Sequence, residues 1–250
     1  MQWRDTGILL AARRHGESAS ILEVFTRARG RHAGLLRGGT SRRMVPALQQ
    51  GSQLMLEWRG RLDEHLGHFR IELVKSRAAP LLSDRLALSA LASACALLKQ
   101  LLAEREPQEE FYLQTQHMLD VLADRADWMP EYLQWELRLL REAGIGLALD
   151  RCAVTGSGEE LSYVSPRTGR AVSAGAAGVW EPKLLPLPPC LVGGHFSGLQ
   201  ELADGLRMIA HFLEPVLLET HANPPALVTR RRLQDAVARA NEKASAERNV

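Results

Sequence analysis

Six arginines, Arg27, Arg29, Arg31, Arg37, Arg42 and Arg43, fall in a stretch from Val24 to Leu56 that contains no acidic residue. Guanidinium groups match phosphate oxygens in forked pairs, and phosphate neutralisation supplies most sequence-independent affinity for nucleic acid. The cluster is therefore the first candidate site, with a solvated charged face as the competing reading. Trp58, beside Arg59 at a strand end, is a candidate stacking platform for a base, whereas Phe25, between Val24 and Thr26, reads as core. Arg230, Arg231 and Arg232 form a possible second basic contact with DNA or a partner.

Other residues that could do chemistry are poorly placed for it. His195, His211 and His221 have no Cys or acid at ligand spacing, and neither a zinc-protease helix motif nor a nucleophile elbow occurs. The glycines at 34–39 and 156–158 lack the Lys-Ser/Thr ending of a phosphate loop, so nucleotide hydrolysis has no support. The acids Glu104, Glu106, Glu109 and Glu110 fall at helix ends, where carboxylates serve solubility and the helix dipole. No catalytic residues are expected, and the chain reads as a non-enzyme. The apolar helical residues, among them Leu133, Trp135, Leu137 and Leu140, read as core, although such a domain can also expose a groove for a partner's short hydrophobic tail.

The elements that position the arginines follow from periodicity. Thr6–Leu10, Ile21–Thr26, His32–Arg37, Ser52–Trp58 and Leu66–Val74 are short strand-like runs broken by polar turns, with Gly30 at a hairpin position. Arg13–Ser18 reads as a turn. Five such strands in about 75 residues suggest a small closed or partly closed barrel. Past Pro80 apolar residues recur at three- and four-residue spacings, which predicts helices over 82–102, 109–123 and 130–143 packed as a bundle. Ser83-Asp84 offers the first start cap. A small hairpin is expected at about 152–176, a connector at 182–189, and a last helix over 198–218 before a charged tail that frays from Thr229.

Charge divides along the same line. Residues 1–77 hold fourteen Arg and Lys against seven acids, while 78–250 hold seventeen against twenty-two. A basic barrel ahead of a mildly acidic helical domain suits a polyanionic partner. Cys95, Cys152 and Cys190 are an odd number at wide spacing, so free thiols in a reducing cytoplasm are expected. Neither a secretory leader nor a long apolar run is seen.

The order of these pieces resembles the bacterial recombination mediator family RecO. The resemblance is carried by Thr6-Gly7-Ile8-Leu9-Leu10, Gly16-Glu17, Phe25-Thr26, Gly30, Arg37-Gly38-Gly39, Leu48-Gln49-Gln50-Gly51, Arg105-Glu106-Pro107, Trp135–Leu140 through Gly144 to Leu149-Asp150-Arg151-Cys152, and Arg230-Arg231-Arg232-Leu233. It implies an α+β chain: a five-stranded OB-fold barrel at 1–79 that binds DNA, then a mainly α-helical domain at 80–250. It also implies recombinational DNA repair of the RecF type, with annealing of complementary strands and recombinase loading onto DNA coated by single-strand-binding protein, together with RecR. Partners would be single- and double-stranded DNA, RecR and single-strand-binding protein, with no membrane. Many relatives carry two Cys-x-x-Cys pairs in the hairpin, and here only Cys152 remains, with Thr155, Ser173 and Ala176 at the other places. The insertion is thus a degenerate zinc hairpin, and no metal is expected. The alternative to a DNA-annealing mediator is a scaffold whose basic barrel binds an acidic protein partner. A hydrolase ranks last, for want of a nucleophile and base.

Overall fold

The computed structural model describes residues 1–62, 65–124, 127–220 and 224–248. The chain divides into two compact units, Met1–Ala126 and Asp127–Val250. The helical elements are therefore split between them: the helices expected near 82–102 and 109–123 fall in the first unit and that near 130–143 in the second.

In the first unit five strands close a barrel: β1 (Gln2–His15), β2 (Ala19–Thr26), β3 (Gly30–Arg37), β4 (Gln53–Arg59) and β5 (His68–Lys75). Their order is β1-β2-β3-β5-β4, with β4 returning to β1, and only the β3–β5 seam is parallel. This is an OB-fold. The first strand is much longer than Thr6–Leu10 because it serves two neighbours. Gln2–Ile8 pair with β4, Gly7–His15 pair with β2, and the register shifts between Leu9 and Ala11 where the strand bends. Arg13, Arg14 and His15 consequently lie in the strand, with their side chains exposed, and the turn is confined to 16–18.

Alternation sends Leu9, Leu22, Val24, Leu36, Leu54, Leu56 and Phe69 into the barrel with Trp3 and Trp58. The two indoles stack with centroids 5.6 Å apart, and Trp58 Nε1 donates to the Leu66 carbonyl at 3.2 Å. Gly67, at φ +57°, lies where a Cβ would meet the Trp58 ring.

Two helices belong with the barrel: α1 (Arg85–Leu101) and α2 (Glu109–Ala123). Asp84 caps α1 by accepting from the Leu86 and Ala87 amides. A buried polar network ties α2 to the strands. Arg77, fully buried, donates to Asp120 at 2.7 Å, to the Gly51 carbonyl at 2.9 Å and to Gln53 Oε1 at 3.1 Å, while Gln53 donates to the Tyr112 hydroxyl at 2.6 Å. Satisfied on every side, such a network fixes one arrangement of its members.

The β2–β3 turn is pinned by the segment before α2. The Arg105 amide donates to the Arg31 carbonyl at 2.8 Å, and a Cβ on Gly30 (φ +64°) would collide with the Glu106 backbone. Gly30→Ala is therefore expected to cost about 1–3 kcal/mol from the left-handed backbone alone, with the collision added. Urea denaturation measures this, and a midpoint unchanged from the parent would contradict the packing.

The second unit holds α3 (Trp128–Glu142), a small sheet of β6 (Leu161–Val164), β7 (Ala171–Ser173) and β8 (Leu185–Pro186) with the short α4 (Ala174–Ala177), then α5 (Leu199–Thr220) and α6 (Pro225–Arg248). The proline-rich connector contributes the third strand, since β8 pairs with β6. The tail expected to fray is helical instead. Its apolar side, including Leu227, Leu233 and Val237, is buried, and α6 packs against α5. No described helix is long and apolar enough to cross a membrane.

Candidate nucleic-acid interface

The six clustered arginines have different fates. Arg31 points along β3 into a nest of acceptors: its Nε donates to the Leu102 carbonyl at 2.9 Å, and its guanidinium lies 3.2 Å from Glu104 and 3.5 Å from Glu23. Its side chain is only 16% exposed, so it anchors the hairpin rather than facing a ligand. Arg27 is half-exposed but paired with Glu109 at 2.7 Å. The acids near the helix ends thus hold arginines. Arg29 sits exposed in the β2–β3 turn, Arg37 ends β3, and Arg42 and Arg43 lie in a single 3-10 turn after the Gly38-Gly39 corner, all exposed. Among the described residues these four have no ion pair.

The strand pairing adds basic residues that lie outside the acid-free stretch. Leu35 pairs with His68 across the β3–β5 seam, and His68 lies opposite Arg59 on β4. Around this seam a cleft of about 590 Å³ is lined by Arg37, Arg59, His68 and Arg70 over Leu36, Met44, Phe69 and Ile71. Arg59 donates to Glu57 at 2.8 Å, and this bond, with the charge of Arg4 nearby, holds the Glu57 carboxyl below its ordinary range. Arg37 and Arg70 have no ion pair among the described residues.

Two expected site residues are placed elsewhere. Trp58 is fully buried in the barrel core, sandwiched by Trp3 and closed over by Gly60 and Gly67, so its ring is not open to a base. A strand-end position beside an arginine suggested exposure, but the β4 alternation turns it inward. Phe25 is core, as expected, against Phe111 and Tyr112. Arg230 is also fully buried: it makes a two-point ion pair with Glu136 at 2.9 and 2.7 Å and donates to the Leu206 carbonyl at 2.9 Å. Tyr132 donates to the same carboxylate at 3.0 Å. The residue joins α3, α5 and α6 and is not a DNA contact. Of its neighbours, Arg231 pairs with Glu214 at 2.8 Å and Arg232 is exposed. His195 and His211 are exposed, and His211 shares a hydrogen bond with the Pro166 carbonyl at 3.0 Å; His221 lies outside the described residues.

The hairpin module does not fit a zinc ion. Cys152 Sγ accepts from the Ser173 amide at 3.3 Å and its hydroxyl at 3.4 Å, while Ala176 packs with Val172 and Leu161 around it. One sulfur among hydroxyl and apolar neighbours is not a tetrahedral donor set. Burial pushes the Cys152 thiol up, but hydrogen bonds from Ser173 and Thr155 outweigh it and bring the thiol down to about 6. With an unfolded thiol near about 8.5, this contribution to stability is full above that pH and lost as pH falls through about 6. Urea stability of the second unit is thus expected to decline on acidification across this window, and Cys152→Ala to flatten the decline. Identical profiles for both proteins would contradict the assignment.

An OB-fold with exposed arginines that have no ion pair among the described residues, followed by a helical unit, defines a class of barrel suited to polyanions. Comparison with known proteins sharpens it. Residues 1–77 match the family model described as Recombination protein O N terminal, and 82–223 match Recombination protein O C terminal. A DNA repair protein RecO of Cereibacter sphaeroides is 52% identical over 240 residues, covering 96% of this chain and all of the relative. RecO of Dinoroseobacter shibae is 50% identical over 242 residues, and that of Roseobacter denitrificans 48% over 239, each alignment covering 96% of this chain and 99% of the relative. The chain belongs to the RecO family of DNA repair and recombination proteins.

Proposed function

We propose that the chain binds DNA through the barrel, anneals complementary single strands and assists recombinase loading onto strands coated by single-strand-binding protein, acting with RecR in the cytoplasm. The observation that carries this reading is the set of exposed arginines with no ion pair among the described residues: Arg29, Arg37, Arg42, Arg43 and, on β5, Arg70. Annealing needs no bond chemistry. Two strands repel through their phosphates, and a face that neutralises those charges lowers the cost of bringing them together. The DNA-binding segment in this reading is the barrel at 1–79, with residues 80–250 turned to partners.

A separate cleft in the second unit suits the protein contacts. About 730 Å³ in volume, it is lined by Leu137, Leu147, Leu149 and Leu191, with the charged residues Arg138, Arg141, Asp150 and Glu160 on its wall. The leucines suit a short hydrophobic tail and Arg138 and Arg141 its carboxylates, and we assign single-strand-binding protein to it.

Fluorescence anisotropy of a labelled single strand, titrated at low and moderate salt, tests the DNA reading. Tight binding that weakens steeply with salt is expected. No binding at low salt would leave the basic barrel as a docking face for an acidic protein.

A further inference from the structure

We propose that a groove between β1 and α1 is a docking site for an acidic amphipathic helix of a partner protein. The proposal goes beyond the DNA reading and does not depend on it. Ala11 and Ala12 of β1 and Leu88, Leu91 and Ala92 of α1 form the groove, and Leu48 closes one edge, around a volume of about 370 Å³. Gln49 and Gln50 stand on the same edge and are already held: Gln49 Nε2 donates to the Val45 carbonyl at 3.1 Å and Gln50 Nε2 to the Leu10 carbonyl at 3.0 Å. The groove is therefore formed before anything enters it, and a partner need not order it. Its apolar surface also continues outward. Leu82, just past the 3-10 turn that follows Ala78, is 75% exposed, and Val45, whose carbonyl holds Gln49, is 53% exposed. Large apolar side chains this open, in segments bordering an apolar hollow, mark an interaction surface.

The rim decides the charge of the partner. Arg13 follows Ala12 on β1, and Arg85 precedes Leu88 by one turn of α1; both are exposed and have no ion pair among the described residues. Asp84, beside Arg85, is spent on the cap of α1, and Glu23, opposite Ala11, is matched by Arg31 and Lys99. No charged residue lines the groove itself. Carboxylates on a partner would thus meet a cation from the β1 side and another from the α1 side. Other occupants fit less well. No aromatic ring lines the groove to stack on a base, and phosphates gain nothing from leucine and alanine. A basic peptide is repelled by the two arginines. The short side chains of Ala11, Ala12, Ala78 and Ala92 let a helix come close, and leucines three and four residues apart on that helix would fill the hollow.

The test titrates the full chain against labelled peptides of about 18 residues, long enough to be helical in isolation, and follows fluorescence anisotropy. One peptide carries leucines along one face and Glu on the other; a second replaces Glu with Lys, and a third replaces the leucines with Gln. The first is expected to bind, and each of the others at least about tenfold more weakly, the scale of losing central anchors from an interface. Ala12→Gln and Ala92→Gln, neutral changes that fill the groove, should each weaken the first peptide by about the same factor, with the circular dichroism spectrum unchanged. Arg13→Gln combined with Arg85→Gln should weaken it about fivefold and flatten its salt dependence. Neither alanine variant should change the affinity for a single-stranded oligonucleotide. Equal binding of the two Glu peptides would reduce the contact to charge and overturn the groove, and equal binding of the two leucine peptides would overturn the acidic partner. Binding that survives both alanine variants, or no binding by any peptide, would likewise overturn the proposal. Loss of DNA affinity in the alanine variants would give the groove to DNA instead.

Discussion

With Arg37, Arg42 and Arg43 all changed to Glu, affinity for single-stranded DNA is expected to fall by about a hundredfold or more near 0.1 M salt, and the slope of log affinity against log salt by about 2. The estimate follows from counterion release, in which each neutralised phosphate of a single strand contributes about 0.7 to the slope. These three are the right positions because they are exposed and have no ion pair among the described residues. Folding should be unaffected, since none is buried and the 3-10 turn carrying Arg42 and Arg43 buries no residue. Arg31→Glu is the informative contrast. It would set a carboxylate against Glu23 and Glu104 and lose the bond to the Leu102 carbonyl, so its main effect should be on stability. Should Arg31→Glu weaken DNA binding more than the triple variant in proteins of equal stability, the assignment of the face would be wrong.

The second large effect concerns Arg230. Arg230→Met leaves the Glu136 carboxylate buried without its cation, and removing one partner of such a pair costs about 3–5 kcal/mol. The second unit should then unfold at markedly lower urea, read by tryptophan fluorescence from Trp128 and Trp135 on α3. Changing both partners to apolar residues, Arg230→Met with Glu136→Leu, should recover much of the loss, because buried ion pairs often replace neutrally by well-packed apolar groups. DNA affinity of the folded protein should hardly change. A variant of normal stability and weakened DNA binding would return Arg230 to the nucleic-acid surface, against its full burial.

Much of the barrel was legible because each strand carries its own signal. Alternating apolar residues, the glycine at 30 and the change of period after Pro80 are local features. The length of β1 was not, since Arg13 and His15 are strand residues only because a neighbouring strand pairs with them, a long-range fact. The helical tail from Pro225 was hidden by its charge: its apolar residues are few, and only packing on α5 gives them a partner.

The candidate site was half legible. An acid-free run of arginines is visible in the sequence, but which of them are neutralised depends on acids far away in the chain, Glu104 for Arg31 and Glu109 for Arg27. Arg59, His68 and Arg70 escaped notice because they lie beyond the run, and only the β4–β5 register and the parallel seam bring them to Arg37. The alternation of β4 could have warned that Trp58 shares a face with Leu54 and Leu56, which are core. For Arg230 the signal was misleading: three adjacent arginines look like surface charge, yet one helix face turns the first of them inward onto Glu136.

The most direct test of the central claim is an annealing assay with two complementary labelled oligonucleotides, comparing the parent chain with the Arg37, Arg42 and Arg43 triple Glu variant. The account predicts pairing accelerated by the parent and close to the uncatalysed rate with the variant. Acceleration by neither protein, or by both equally, would contradict it.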